Sequence, residues 1–81
     1  MAGLPATEID QRIGERISAA RNRACLSQRA LGAAIGVSAA QLQKYEKGSN
    51  KISAVALSVV AQQTGASIEW FFDAAHEAKA A

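Results

Sequence analysis

The chain has 81 residues, 49% of them apolar and only four aromatic, so it can bury one small core made mostly of Ile, Leu, Val and Ala. Its formal net charge is +2, and no apolar run approaches the roughly 20 residues of a membrane span. A single cysteine excludes an internal disulfide. With one histidine besides, the chain lacks a zinc ligand set and any constellation for nucleophilic catalysis.

Strand-type alternation is missing and helical spacing recurs along the chain, which predicts an all-α bundle. Residues 1–6, with Gly3 and Pro5 and no periodicity, read as a flexible N-terminal arm that carries no Lys or Arg. Thr7 is placed to cap the first helix, with Glu8 and Asp10 near the positive end of its dipole. Ile9, Ile13, Ile17, Ala20 and Ala24 then step along one face and mark this helix as scaffold. Acidic residues at 8, 10 and 15 are unlike a signal peptide, so the expected location is cytoplasmic and away from membranes.

Ser27 can cap a second helix whose Leu31, Ala34 and Ile35 form an inward stripe. Gln28 stands at its start, where its amide and the free backbone donors can meet a phosphate, and Arg29 beside it adds charge. Gly36 ends this helix by turning left-handed, and Val37 can tuck between the second helix and the third. Ser38 opens the third helix, with Gln41 at the spacing of a capping box in which each side chain bonds the other's backbone N–H. Leu42 and Tyr45 form the inner stripe. Ala39, Ala40, Gln41, Gln43, Lys44 and Lys47 occupy the outer arc, which is small, polar and free of acidic residues. Gln43 and Lys47 are placed for phosphate contact, although Gln43 could equally face solvent alone.

The loop Gly48 to Lys51 is small and polar. With free amides, its Ser49, Asn50 and Lys51 suit a phosphate, or they simply connect two helices. Ser53 caps a fourth helix that Gly65 ends, with Leu57, Val60, Ala61 and Thr64 on its inner face and Ile52 just before it. Val55, Val59 and Ala66 project to the other side, which a monomer would leave wet. Ser67 opens a short fifth helix, in which Ile68, Phe71 and Phe72 should close the core while Trp70 points elsewhere. Val55, Val59 and Trp70 are read as a homodimer surface, because exposed apolar patches usually mark contacts. For Trp70 the monomer core is the competing place. Residues 74–81 form an Ala-rich C-terminal tail containing the isolated His76.

Charge is distributed unevenly. Residues 21–51 hold Arg21, Arg23, Arg29, Lys44, Lys47 and Lys51 against Glu46 alone, a net of +5, while both ends are mildly acidic. A basic centre suits a polyanion docking on one face. The alternative is an ordinary solvated surface.

The run SQRALGAAIGVSAAQLQKYEKG, Ser27 to Gly48, resembles the helix-turn-helix of the phage-repressor and Cro-like family, the XRE-type regulators. The likeness continues through NKISAVALSVVAQQTGASIEWFF and covers roughly Ile9 to Phe72. Its most specific blocks are Ser27-Gln28, Gly36-Val37-Ser38 and Tyr45-Glu46-Lys47-Gly48. The resemblance implies an all-α, compact five-helix lambda-repressor-like DNA-binding domain over residues 7–73, with the helix-turn-helix at 27–48. It implies base reading by Ala39, Ala40, Gln41 and Lys44, phosphate binding by Gln28, and a structural ion pair between Arg21 and Glu46. The chemistry agrees in part: a helix fits the major groove, Gln can bond adenine, Lys can bond guanine, and alanine can touch a thymine methyl. Two alanines leave few donors, so DNA deformability is expected to share in specificity.

Two positions depart from the pattern. Cys25 stands where many relatives have Gly or Asn to end the first helix, and it pays a steric penalty if it turns left-handed. It is either a passive small residue or a redox-sensing thiol. Thr64 stands where leucine is common, which predicts weaker packing.

The function implied is that of a sequence-specific, double-stranded DNA-binding transcriptional regulator, a dimeric repressor on a roughly palindromic operator, with no cofactor, no metal and no enzymatic activity. The alternative is an antitoxin or restriction-modification controller that autoregulates its operon and binds a protein partner.

Overall fold

The computed structural model describes residues 6–73, and the side chains from Glu8 onward. The expected arm, Met1 to Pro5, and the tail from Ala74 lie outside the described residues. Five helices follow in order: α1 (Ala6–Arg23), α2 (Gln28–Ala34), α3 (Ala39–Lys47), α4 (Ala54–Thr64) and α5 (68–73). Among the described residues there is no strand, and no helix is long and apolar enough to cross a membrane.

Local chemistry sets most of the boundaries. Ser27, Ser38 and Ser53 each accept a hydrogen bond from the backbone N–H three residues on, at 3.0, 3.1 and 3.1 Å. These bonds satisfy donors that the first turn of a helix leaves without partners. Helix α1 already includes Ala6, so Thr7, expected just before its start, falls within its first turn.

The helix ends repeat one device. After α2, Gly36 adopts a φ of 78°, its N–H reaches the Ala33 carbonyl at 3.1 Å, and the Val37 N–H reaches the Gly32 carbonyl at 2.8 Å. This is the Schellman arrangement, which consumes the last free carbonyls. The same pair of bonds closes α1, but the left-handed residue there is Cys25, with a φ of 59°. Any side chain at such a φ carries a steric cost that glycine escapes.

The core contains Ile13, Ile17 and Ala20 from α1, Leu31 from α2, Leu42 from α3, Leu57, Val60 and Ala61 from α4, and Phe71 from α5. Ile9, Ile35, Val37, Tyr45, Ile52 and Ile68 pack around it, half-buried. Two sequence expectations are corrected here. Ala34 is exposed, since α2 turns Leu31 and Gly32 inward instead. Phe72 does not close the core: it is 41% exposed on the rim of an apolar groove lined also by Ile9, Ile52 and Leu57. Trp70, for which the sequence leaves both the core and an outer surface open, is half-buried against the core and meets Phe71 edge to face at 5.1 Å. The guanidinium groups of Arg16 and Arg23 lie over its ring at 4.6 and 4.9 Å. Phe71 has filled the interior, so its neighbour in sequence is left outside, while the indole is covered by α1. Thr64 satisfies its hydroxyl on the Val60 carbonyl at 2.8 Å, a bond that leucine could not make but that adds no packing.

Gly14 and Gly32, both buried, set how closely the helices meet. A Cβ on Gly14 would stand 2.5 Å from the carbonyl oxygens of Tyr45 and Glu46, so α1 crosses the C-terminal end of α3 in direct backbone contact. A Cβ on Gly32 would stand 2.8 Å from the Val37 carbonyl, which fixes how tightly the turn folds back on α2. Neither glycine was singled out by sequence reasoning. A glycine inside a helical pattern was the available signal.

Candidate nucleic-acid interface

The third helix is anchored on one side and bare on the other. Leu42 is fully buried and Tyr45 half-buried, while Ala40, Gln43, Lys44 and Lys47 are exposed and Ala39 and Gln41 are half-buried. The 3.6-residue period accounts for this division, because the two inner residues lie three apart and leave the opposite arc to solvent. Lys44 and Lys47 also stand in the last turn, where positive charge is favoured by the helix dipole.

This outer arc is chemically unengaged. Among the described residues Lys44, Lys47, Arg29 and Lys51 have no ion-pair partner, and the Gln41 carboxamide has no hydrogen-bond partner. The Ser38 hydroxyl caps the Gln41 N–H at 3.1 Å, but the reciprocal half of the expected capping box is not formed. The Gln41 amide thus remains available to a ligand.

Gln28, Gln43 and Lys47 border one shallow polar hollow, together with Glu15, Ser18 and Glu46. Three of the residues expected to touch phosphate are therefore gathered from two helices at one edge of α3. Arg29 is exposed beside Gln28. Ser49, Asn50 and Lys51 are exposed beyond the end of α3. The backbone amides expected to be free in this loop are not: the Ser49 N–H bonds the Lys44 carbonyl at 3.0 Å and the Asn50 N–H approaches the same oxygen at 3.5 Å. Closing the helix consumes them, so any phosphate contact from Ser49 or Asn50 must come from the side chain.

Arg21 and Glu46 meet at the junction of three helices. Arg21 Nε donates to Glu46 Oε2 at 2.6 Å and Nη2 to Oε1 at 3.3 Å, while Nη1 donates to the Leu26 carbonyl at 2.9 Å. Gln28 Nε2 donates to Glu46 Oε1 at 3.0 Å. The two charged side chains are 13% and 7% exposed. In that setting the loss of one partner leaves an uncompensated charge, which typically costs about 3–5 kcal/mol. Sequence reasoning did not find the Gln28 bond, because 18 residues separate the partners and only the packing of α2 on α3 brings them together.

The residues expected at a dimer surface are placed less uniformly. Val55 is 76% exposed and Val59 half-buried, one turn apart on α4. Trp70 is half-buried and carries the two arginines of α1 over its ring.

A family model described as helix-turn-helix matches residues 17–71. The chain is 41% identical over 64 residues to an uncharacterised transcriptional regulator in the ATPase CF(0) region of Rhodospirillum rubrum, covering 79% of this chain and 59% of the relative. It is 41% identical over 68 residues to an uncharacterised HTH-type transcriptional regulator of Sinorhizobium fredii, covering 84% of this chain and 48% of the relative. The chain thus spans about half the length of these relatives. Among solved structures, the clp gene regulator ClgR from C. glutamicum shares the fold with a TM-score of 0.76 at 24% identity, over 86% of this chain and 91% of that one. The bare third helix, its capped turn and these likenesses agree, and the chain belongs to the Cro/C1-type (XRE) helix-turn-helix family of transcriptional regulators.

Proposed function

We propose that the domain binds double-stranded DNA sequence-specifically by laying α3 in the major groove, and that it acts in the cytoplasm as a dimeric repressor. The observation that carries this reading is the outer arc of α3, where the side chains of Gln41, Lys44 and Lys47 have no partners among the described residues. Ala39, Ala40, Gln41 and Lys44 face base edges, where the amide can bond adenine, the ammonium guanine, and the methyl groups thymine. Gln28, Arg29, Gln43 and Lys47, with the side chains of Ser49, Asn50 and Lys51, hold the flanking phosphates and set the register.

Dimerisation places two copies of α3 about 34–36 Å apart on a roughly palindromic site. The exposed Val55 supports the α4 face as the contact, with Val59 behind it and Trp70 at the margin. Repression follows if the site overlaps a promoter and polymerase is blocked. Footprinting on the DNA upstream of the protein's own gene tests the whole reading: a protected pair of half-sites one helical turn apart is expected, and no protection on any upstream DNA would overturn it.

A second reading shares the same DNA contact. In it the Val55 face receives a different protein, as in an antitoxin or a restriction-modification controller, and DNA binding serves autoregulation. A stable co-purifying partner favours this reading; tight operator binding by the isolated chain favours the first.

A further inference from the structure

Glu46 is the one acidic residue between Arg21 and Lys51, and it borders the hollow that Gln28, Gln43 and Lys47 share. A carboxylate at a phosphate-binding edge should repel its ligand. Arg21, bonded through both Nε and Nη2, offsets that charge. The third bond, from Gln28 Nε2 to Oε1 at 3.0 Å, has a directional consequence. A carboxylate accepts hydrogen bonds and cannot donate them. The Gln28 carboxamide is therefore held with its nitrogen against Glu46, since the flipped amide would set one oxygen against another. One Nε2 hydrogen is used in this way, and the second, without a partner among the described residues, remains for an acceptor outside the protein.

We infer that Glu46 is a positioning residue for duplex binding, orienting the Gln28 carboxamide so that its remaining N–H meets a DNA phosphate. The inference rests on the DNA-binding reading above. It assigns Glu46 a part beyond pairing with Arg21: one carboxylate couples the phosphate contact on α2 to the end of the reading helix.

The test is a double-mutant cycle on a short mixed-sequence duplex at low salt, with thermal unfolding recorded for every variant. Glu46→Gln keeps the size of the side chain but can donate as well as accept, which releases the amide from its fixed orientation. Gln28→Ala and Glu46→Gln are each expected to weaken binding roughly tenfold, and the double variant also roughly tenfold. Losses that multiply to roughly a hundredfold, or wild-type affinity for Glu46→Gln, would overturn the inference. If Glu46→Gln does not fold, Glu46→Asp retains a charge for Arg21 while withdrawing from Gln28 by one methylene. The side-chain NH2 resonances of Gln28 should then move toward those of a free amide, and unchanged resonances would be equally fatal. Failure of the wild-type chain to bind the duplex sinks the DNA-binding reading itself, and the inference with it, before any variant is made.

Discussion

Gly14 of α1 lies against the backbone of Glu46, with room for a hydrogen and none for a methyl group: a Cβ there would stand 2.5 Å from the Glu46 carbonyl oxygen. The neighbour is backbone at the end of α3, so it cannot rotate away. Overpacking of this kind typically costs about 1–3 kcal/mol. Gly14→Ala is expected to lower the melting temperature by roughly 4–8 °C for each kcal/mol in a domain of this size, read by circular dichroism. An unchanged melting temperature would mean that α1 and α3 do not cross this closely.

Cys25 sits in the left-handed conformation with its side chain exposed, and its N–H makes one of the two closing bonds of α1, to the Asn22 carbonyl, while the Leu26 N–H makes the other. Relieving the steric cost with glycine, less the extra entropy glycine brings to the unfolded chain, should stabilise by about 0.5–1 kcal/mol. Cys25→Gly is expected to melt higher than the wild type. Gly36→Ala, at a φ of 78° with nothing within 4 Å of the added carbon, should melt lower for conformational reasons alone.

Lys44 and Lys47 are both exposed and without ion-pair partners among the described residues, and the proposed function gives them different work. Lys44→Ala should relax preference at one base pair, at a cost of roughly 1–3 kcal/mol if it reads guanine. Lys47→Ala should weaken all sites alike. Binding to a set of operators changed one base pair at a time separates the two, and equal, uniform losses from both variants would remove the division into readers and anchors.

Val55 is 76% exposed, so a charge placed there should barely alter the fold. Val55→Asp is expected to keep the wild-type melting temperature and to abolish self-association in sedimentation. A wild-type chain that stays monomeric at high concentration, both free and on DNA, would discard this surface.

Much of the architecture was legible in local chemistry. Serines at 27, 38 and 53 and glycines at 36, 48 and 65 punctuate the helices in sequence as they do in space. Features that need two distant segments were not legible. Trp70 and Phe72 differ by two positions on a short helix, and only the arrival of Arg16 and Arg23 from α1 decides which of them is covered. The Ser49 and Asn50 amides looked free because their acceptor, the Lys44 carbonyl, becomes available only once α3 ends at Gly48. The pairing of Arg21 with Glu46 came from likeness to a family rather than from spacing, and the Gln28 bond to the same carboxylate had no sequence signal at all.

The two guanidinium groups stacked on Trp70 also bear on how the protein should respond to ionic strength. Arg16 and Arg23 are occupied at the α1–α5 junction and Arg21 is paired with Glu46, so the formal basic content overstates what a duplex can neutralise. Of the other described cations Arg12 stands on α1, and Arg29, Lys44, Lys47 and Lys51 are the expected contributors beside α3, four per chain. If each displaces one condensed counterion, a log–log plot of affinity against salt should fall with a slope of about −3.6 per bound chain.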